Sequence, residues 1–201
     1  MSCNLSSESI EGIVSFHGHW CPGLAIGIRA GEWVLREMGR DRDEELVAVV
    51  ETDMCGVDAI QYLTGCTFGK GNLVYRDYGK NAFTFYRRSD DKSARLVTRP
   101  GIFGQARETL ARLHAKKQAQ GLDSQEQKQL QEAREELSRR IMDAPLEEVF
   151  ETKDPEEPPP RKARILSSLA CQSCGEQTME SRTRRFQEQT LCIPCFEKAG
   201  G

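Results

Sequence analysis

Near the C-terminal end of the chain, CQSC (171–174) and CIPC (192–195) each place two thiols three residues apart, and seventeen residues separate the pairs. This is the spacing of a two-knuckle zinc site, in which four thiolates close a tetrahedron around Zn²⁺ and leave no open position. The chemistry implied is structural, because a module of about 40 residues buries too little surface to fold without such a cross-link. Gly175 suits the tight turn after the first pair, TMESRTRRF and QTLC suit a hairpin, and CFEK suits a short helix after the second pair. That is the element order of a treble-clef finger. Neither C-x-x-C pair lies in a β-α-β setting, which sets aside a thioredoxin-like redox motif.

A second group of metal-competent residues lies near the other end, in FHGHWCPG (16–23). It holds two of the three histidines of the chain, His17 and His19, with Cys21 next at the same spacing. Period two directs all three side chains to one side of an extended segment. Further along, Cys55 and Cys66 lie in MCG and GCTFGKGN, both beside expected loops. His17, His19, Cys21, Cys55 and Cys66 are therefore candidate ligands of a core metal site. Cys66 has the competing reading of a small buried hydrophobe. Cys21 and Cys55 each fall where a helix is expected to begin, and a helix N-terminus favours thiolate over thiol. Cys55, Asp58 and Lys70 are candidate catalytic residues: a thiol, a carboxylate placed to orient a histidine or hold a proton, and a lysine between two glycines within reach of an anion. GCTFGKGN lacks the spacing of a Walker-type phosphate loop, and His114 reads as a surface residue on a charged helix.

Elements that would position these residues follow from periodicity. Pro22 opens a helix whose Leu24, Ile28, Leu35 and Met38 share a face until Gly39 ends it. Gly27 and Gly31 lie together on that helix, where a second backbone could approach closely. LVAVVET (46–52) is β-rich, and MCGVDAIQYLTG turns helical, so Cys55 marks a strand-to-helix junction. NLVYRD (72–77), AFTFYRR (82–88) and ARLVTR (94–99), separated by turn compositions, predict an antiparallel meander. Two charged amphipathic helices follow, the second opened by a Ser124…Gln127 capping pattern. The acidic, proline-rich stretch 153–161 then reads as a linker. The expected division is a core over 1–158, a linker region over 153–165 and the finger over 166–201.

The chain has 201 residues, a formal charge of −3 and 29% charged residues. Residues 161–201 carry seven Lys/Arg against four Glu, a net +3, which leaves −6 for residues 1–160. Arg182, Arg184 and Arg185 put part of that positive charge on the finger, where it could meet an acidic protein surface, a nucleic acid or only water; most such runs are solvated faces. No apolar run approaches the ~18 residues of a membrane span, and no signal-peptide pattern opens the chain, so a cytoplasmic location with no membrane partner is expected.

FHGHWCPG, ETDMCGVDAIQYLTGCTFGKGN and LVYRDYGKNAFTFYRR, in that order, resemble the FmdE family of formylmethanofuran dehydrogenase proteins over about residues 10–100. The CQSCGE…LCIPCF segment resembles the C-terminal zinc domain that some members carry. The resemblance implies an α+β core, a treble-clef finger and a tightly intertwined homodimer. It places His17, His19, Cys21, Cys55, Asp58, Cys66 and Lys70 on the positions of the family motif. It further implies zinc in the finger, a second metal in the core, and redox or one-carbon-related activity or an accessory role to a formylmethanofuran-dehydrogenase-type enzyme, a setting related to methanogenesis. The chain has no pterin-binding or iron–sulfur pattern and is not expected to be the catalytic component of such an enzyme. The alternative is a regulatory or metal-sensing module whose finger contacts protein or nucleic acid.

Overall fold

Ser6 starts the first helix and Gly18 stops it. In the computed structural model, which describes residues 3–40 and 45–200, α1 spans Ser7–His17, with the Ser6 hydroxyl accepting from the Ser9 N–H and Gly18 in the left-handed conformation at φ +94°. A left-handed residue at this point is the usual helix stop, and glycine adopts it without steric cost. Helix α2 spans Pro22–Glu37, with proline in its first turn and the Cys21 side chain as N-cap, accepting from the Leu24 N–H at 3.3 Å. The HGHWC stretch is thus a helix end, a glycine turn and a helix start rather than an extended strand.

Strand β1 (Leu46–Val50) leads through a short turn to α3 (Gly56–Thr64), which opens at Cys55 as expected. The two glycines on α2 have a packing role. A Cβ on Gly27 would lie 2.0 Å from the Gly56 carbonyl oxygen, and one on Gly31 would lie 2.5 Å from Leu63 Cδ1. Backbone-to-backbone contact between α2 and α3 therefore requires glycine at both 27 and 56. This contact carries the N-terminal ends of the two helices, Cys21 and Cys55, to one place.

The sheet departs from the expected meander. Strands β2 (Leu73–Tyr75), β3 (Ala82–Arg87), β4 (Lys92–Thr98) and a strand at Phe150–Lys153 join β1 in the order β2-β1-β3-β4 followed by 150–153. β3 and β4 form the antiparallel hairpin expected from the sequence. β2, however, pairs parallel with β1 at the edge, with Val49 opposite Val74, and β3 pairs with the other side of β1. A parallel neighbour needs a crossover, which α3 supplies, so the helix between two β-rich runs is the signal against a simple meander.

Helices α4 (Ala106–Gln120) and α5 (Ser124–Asp143) pair as a hairpin, and α5 packs on α2. The cap of α5 lies one residue earlier than the Ser124…Gln127 pattern predicts: Asp123 accepts from the Glu126 N–H while Glu126 accepts from the Asp123 N–H, a reciprocal capping box. The short helix α6 (Leu146–Val149) then delivers the chain to β5 (Phe150–Lys153), an edge strand that overlaps the expected linker at Lys153.

One sheet face packs under the helices through Leu46, Ala48, Val50, Phe83, Phe85 and Leu96, all at most 2% exposed. Each of the larger side chains among them stabilises the fold by roughly 1.5–3 kcal/mol through burial. Within this core Arg29 pairs with Glu32 at 2.5 Å and donates to the Ala144 carbonyl, tying α2 to the end of α5. The opposite sheet face is covered by the proline-rich stretch, which is anchored rather than free. The Tyr86 hydroxyl donates to the Glu157 carbonyl, Arg88 to the Pro160 carbonyl, and Arg76 pairs with the Glu157 carboxylate at 2.6 Å. This is why Val47 and Val49, on the side of β1 away from the helices, are buried.

The first compact unit runs Met1–Lys162 and the second Ala163–Gly201. In the second, β6 (Ser168–Ala170) pairs antiparallel with β7 (Gln177–Met179), and β8 (Thr183–Phe186) with β9 (Gln189–Cys192), before α7 (Ile193–Lys198). Phe186 and Phe196 meet edge to face at 5.6 Å beside Leu191, a core of only a few side chains.

Candidate metal centre

Four of the five candidate core ligands converge. Donor atoms of His17, His19, Cys21 and Cys55 all lie within 4.8 Å of one another. His17 is the last residue of α1, Gly18 turns the chain back so that the two imidazoles lie 4.4 Å apart, Cys21 caps α2, and Cys55 sits where α3 begins. The α2–α3 glycine contact closes the arrangement, since a Cβ on Gly23 would already touch Cys55 at 3.3 Å.

The His17 imidazole has a fixed tautomer. Its Nδ1–H donates to Asp58 Oδ2 at 2.7 Å, and the other carboxylate oxygen accepts from Gln61. In the neutral ring the lone pair then lies on Nε2, which is buried with no hydrogen-bond partner. A buried acceptor without a partner costs about 1–3 kcal/mol, whereas a carboxylate behind a histidine with a free Nε2 is the usual support of a metal ligand. Asp58 thus holds the His17 ring and is not itself among the clustered donors. His19 is exposed, while Cys21 and Cys55 are half-buried. The Cys55 thiol is pushed up, by burial first and by the Cys21 thiol second, so the helix N-terminus does not make it the acidic thiol expected from its place in the sequence.

The other two candidates lie elsewhere. Cys66 is fully buried in the apolar core and its thiol donates to the Leu46 carbonyl at 3.4 Å, so it is a packing residue. Lys70 is exposed in the turn before β2, where its N–H donates to Thr67 Oγ1, and it does not line the cavity beside the cluster.

That cavity has a volume of about 700 Å³ and is lined by His19, Cys21 and Cys55 together with residues of the α4–α5 hairpin. Among the latter are Arg107, His114 and Arg134; His114 is exposed, as expected of a surface residue, and also lines this cavity. Arg134 donates to His114 Nε2 at 2.9 Å. Burial, then the charges of Arg134 and Lys117, hold the His114 pKa below its ordinary value, in keeping with Nε2 as the acceptor of the Arg134 N–H. The sequence signal for this wall is the spacing 107, 110, 114 and 131, 134, which puts each set on one helix face.

In the finger the donor atoms of Cys171, Cys174, Cys192 and Cys195 also lie within 4.8 Å of one another. Cys174 Sγ and Cys192 Sγ are 3.9 Å apart, against about 3.8 Å for two thiolates on a tetrahedral ion with bonds of about 2.3 Å. N–H groups of Cys174 and Cys192 hold the Cys171 thiol down to about 6. Cys192, despite the Cys195 N–H, is pushed up to about 12 by burial and by the neighbouring thiols. Such a cluster ionises fully only around a cation, and the donor set fits zinc.

The FmdE family model, described by the words "Molybdenum formylmethanofuran dehydrogenase operon", matches residues 16–151. The chain belongs to the FmdE family. The prokaryotic dksA/traR C4-type zinc finger matches residues 164–199, so this FmdE protein carries a C4 zinc finger behind its α+β core. A protein of Archaeoglobus fulgidus, named a probable S-adenosyl-L-methionine-binding protein, is 32% identical over 191 residues, covering 90% of this chain. The chain spans about half of that relative's length, 50%. The crystal structure of a tungsten formylmethanofuran dehydrogenase FmdE-like protein from Syntrophus aciditrophicus superposes with a TM-score of 0.63 at 24% identity, covering 96% of this chain and 93% of that one. At that identity the likeness establishes the fold.

Proposed function

We propose that the core cluster is a resident transition-metal site, distinct from the structural finger, and that it works on a small molecule admitted through the adjoining cavity. The observation that carries this reading is the buried, unpartnered Nε2 of His17, locked in ligand tautomer by Asp58 and grouped with one imidazole and two thiols. Two nitrogen and two sulfur donors suit zinc, and they also suit other borderline-soft ions. His17, Cys21 and Cys55 would hold the ion from the protein side. His19, exposed beside the cavity, is the ligand an incoming molecule can replace.

When bound, such an ion supplies Lewis-acid polarisation or, for a redox metal, one-electron chemistry. The protein's own part is positional. The α2–α3 contact fixes the two thiols, Asp58 fixes the His17 ring, and the α4–α5 hairpin walls the cavity. The redox or one-carbon-related role, or support of a formylmethanofuran-dehydrogenase-type enzyme, is what membership of the FmdE family favours, and a second copy of this chain is the partner we expect. The S-adenosyl-L-methionine binding named for the A. fulgidus relative concerns a protein twice as long.

Cobalt substitution tests the reading. In a full-length variant with the finger disabled, Cys171→Ser/Cys174→Ser, one Co²⁺ per chain should give thiolate-to-cobalt charge transfer and the visible bands of four-coordination. Azide should then shift those bands, as it does at a site with a replaceable ligand. Absence of charge transfer would contradict the metal site. Charge transfer with bands indifferent to azide would favour the sensing alternative, in which a closed donor set holds the metal.

A further inference from the structure

The cavity beside the core cluster is charged in one sense only. Among its lining residues Arg107 and Arg134 are cationic and none is a carboxylate. This is against expectation for a chain of net charge −3 whose Asp and Glu outnumber Lys and Arg, 31 to 28. Some arginines elsewhere are matched to acids, Arg29 to Glu32, Arg76 to Glu157, Arg87 to Asp90 and Arg95 to Glu51, whereas others, such as Arg88 and Arg99, donate to backbone carbonyls. Among the described residues neither Arg107 nor Arg134 pairs with any carboxylate. Arg134 donates instead to His114 Nε2, an imidazole partner that offers the guanidinium no negative charge. Gln131, one helical turn before Arg134, adds an amide to the same wall. Between these polar groups the lining is apolar, with Trp20, Ile26, Phe103 and Leu110.

An arginine fork without an acid, in a cavity with apolar sides, recognises a planar or tetrahedral oxyanion on an apolar body. We infer that this cavity binds a small organic anion, its carboxylate or phosphate held by Arg107 and Arg134 and its body placed against Trp20 and Leu110, in the same chamber as Cys21 and Cys55. The inference deepens the reading of the core cluster as the working site and rests on it for the ligand's purpose, though not for its binding. Both arginines lie on the α4–α5 hairpin, at an exposed and a half-buried position, so their replacement leaves the core packing intact.

Full-length protein purified without oxygen is titrated calorimetrically with phenylacetate, phenyl phosphate and the neutral phenylacetamide. Metal content is measured on the same samples. At least one of the two anions should bind at least about tenfold more tightly than the amide, and added salt should weaken it. Whichever anion binds more tightly names the headgroup. Arg107→Gln/Arg134→Gln should bring the anion down to the level of the amide with metal content unchanged. Arg107→Gln alone serves if the double variant folds poorly, with a loss of about threefold or more. Equal binding of amide and anion, an anion preference that survives the double variant, or no anion binding at millimolar concentration would each overturn the inference. Anion preference in protein whose core holds no metal would sustain it while contradicting the metal reading.

Discussion

Two four-donor clusters among the described residues each have their ligand atoms within 4.8 Å of one another, yet they are built in opposite ways. The finger gathers its cysteines by local turns and hairpins, in a unit whose apolar cluster is Cys171, Leu191 and Cys192 with a few partly buried neighbours. There the metal is part of the fold. The core cluster is gathered by the ends of three helices, α1, α2 and α3, which are held in place by a large apolar core and a glycine contact between backbones. Its geometry is set by packing that extends well beyond the four donors. A cluster held by such packing and opening on a cavity suits work on a ligand, whereas one that exists only with its metal suits structure.

Removing metal should separate the two most strongly. Chelation takes away on the order of 10 kcal/mol of metal-linked folding free energy from a structural site, so amide signals of residues 163–200 should collapse to unfolded positions while those of β1, β3 and β4 stay dispersed. Dispersed finger signals after complete metal loss would break the contrast. Gly27→Leu should act in the opposite sense. Its side chain meets the Gly56 backbone and costs about 3 kcal/mol. Metal analysis should then show the finger ion kept and the core ion lost. Asp58→Ala should be milder, leaving the fold intact and weakening core metal binding about 10–100-fold, as loss of a histidine's supporting carboxylate does; competition titration with a chromophoric chelator measures it. An unchanged affinity would remove Asp58 from the account.

The smallest effect is expected far from both clusters. Arg87 holds the Asp90 carboxyl down to about 2, from an ordinary value of 3.8. Because the folded value lies below the unfolded one, the pair contributes above about pH 4, and the contribution disappears as pH falls toward 2. The pair is solvent-exposed, so Asp90→Asn should flatten acid denaturation in that window only slightly, with little change in its slope near pH 7.

The finger is legible almost whole in the sequence, because its ligands are close together and the spacing of the pairs is itself the geometry. Helix α2 is legible from Pro22, its apolar face and Gly39. The core cluster is legible as residue types and not as a place. The spacing of His17, His19 and Cys21 suggests an extended segment, but they are gathered by a helix stop at Gly18 and a helix cap at Cys21. Cys66 is the same residue type as Cys55, and only burial separates them. The helix between β1 and β2 signals a crossover, but the pairing itself is not written in the β-rich runs, which look alike whichever neighbour they choose. The arginine wall is legible only as helix faces: the spacing 107, 110, 114 and 131, 134 groups each set, but Arg107 and Arg134 are like any surface arginine until the hairpin folds back toward α2.

If the core cluster holds an ion of its own, this chain binds two metal ions and only one of them depends on the finger. The most direct test is metal stoichiometry by elemental analysis of anaerobically purified full-length protein beside its Cys21→Ala and Cys171→Ala/Cys174→Ala variants. The account predicts two metal ions per chain in the parent and one in each variant. A single ion in the parent, kept in Cys21→Ala and lost with the finger cysteines, would contradict it.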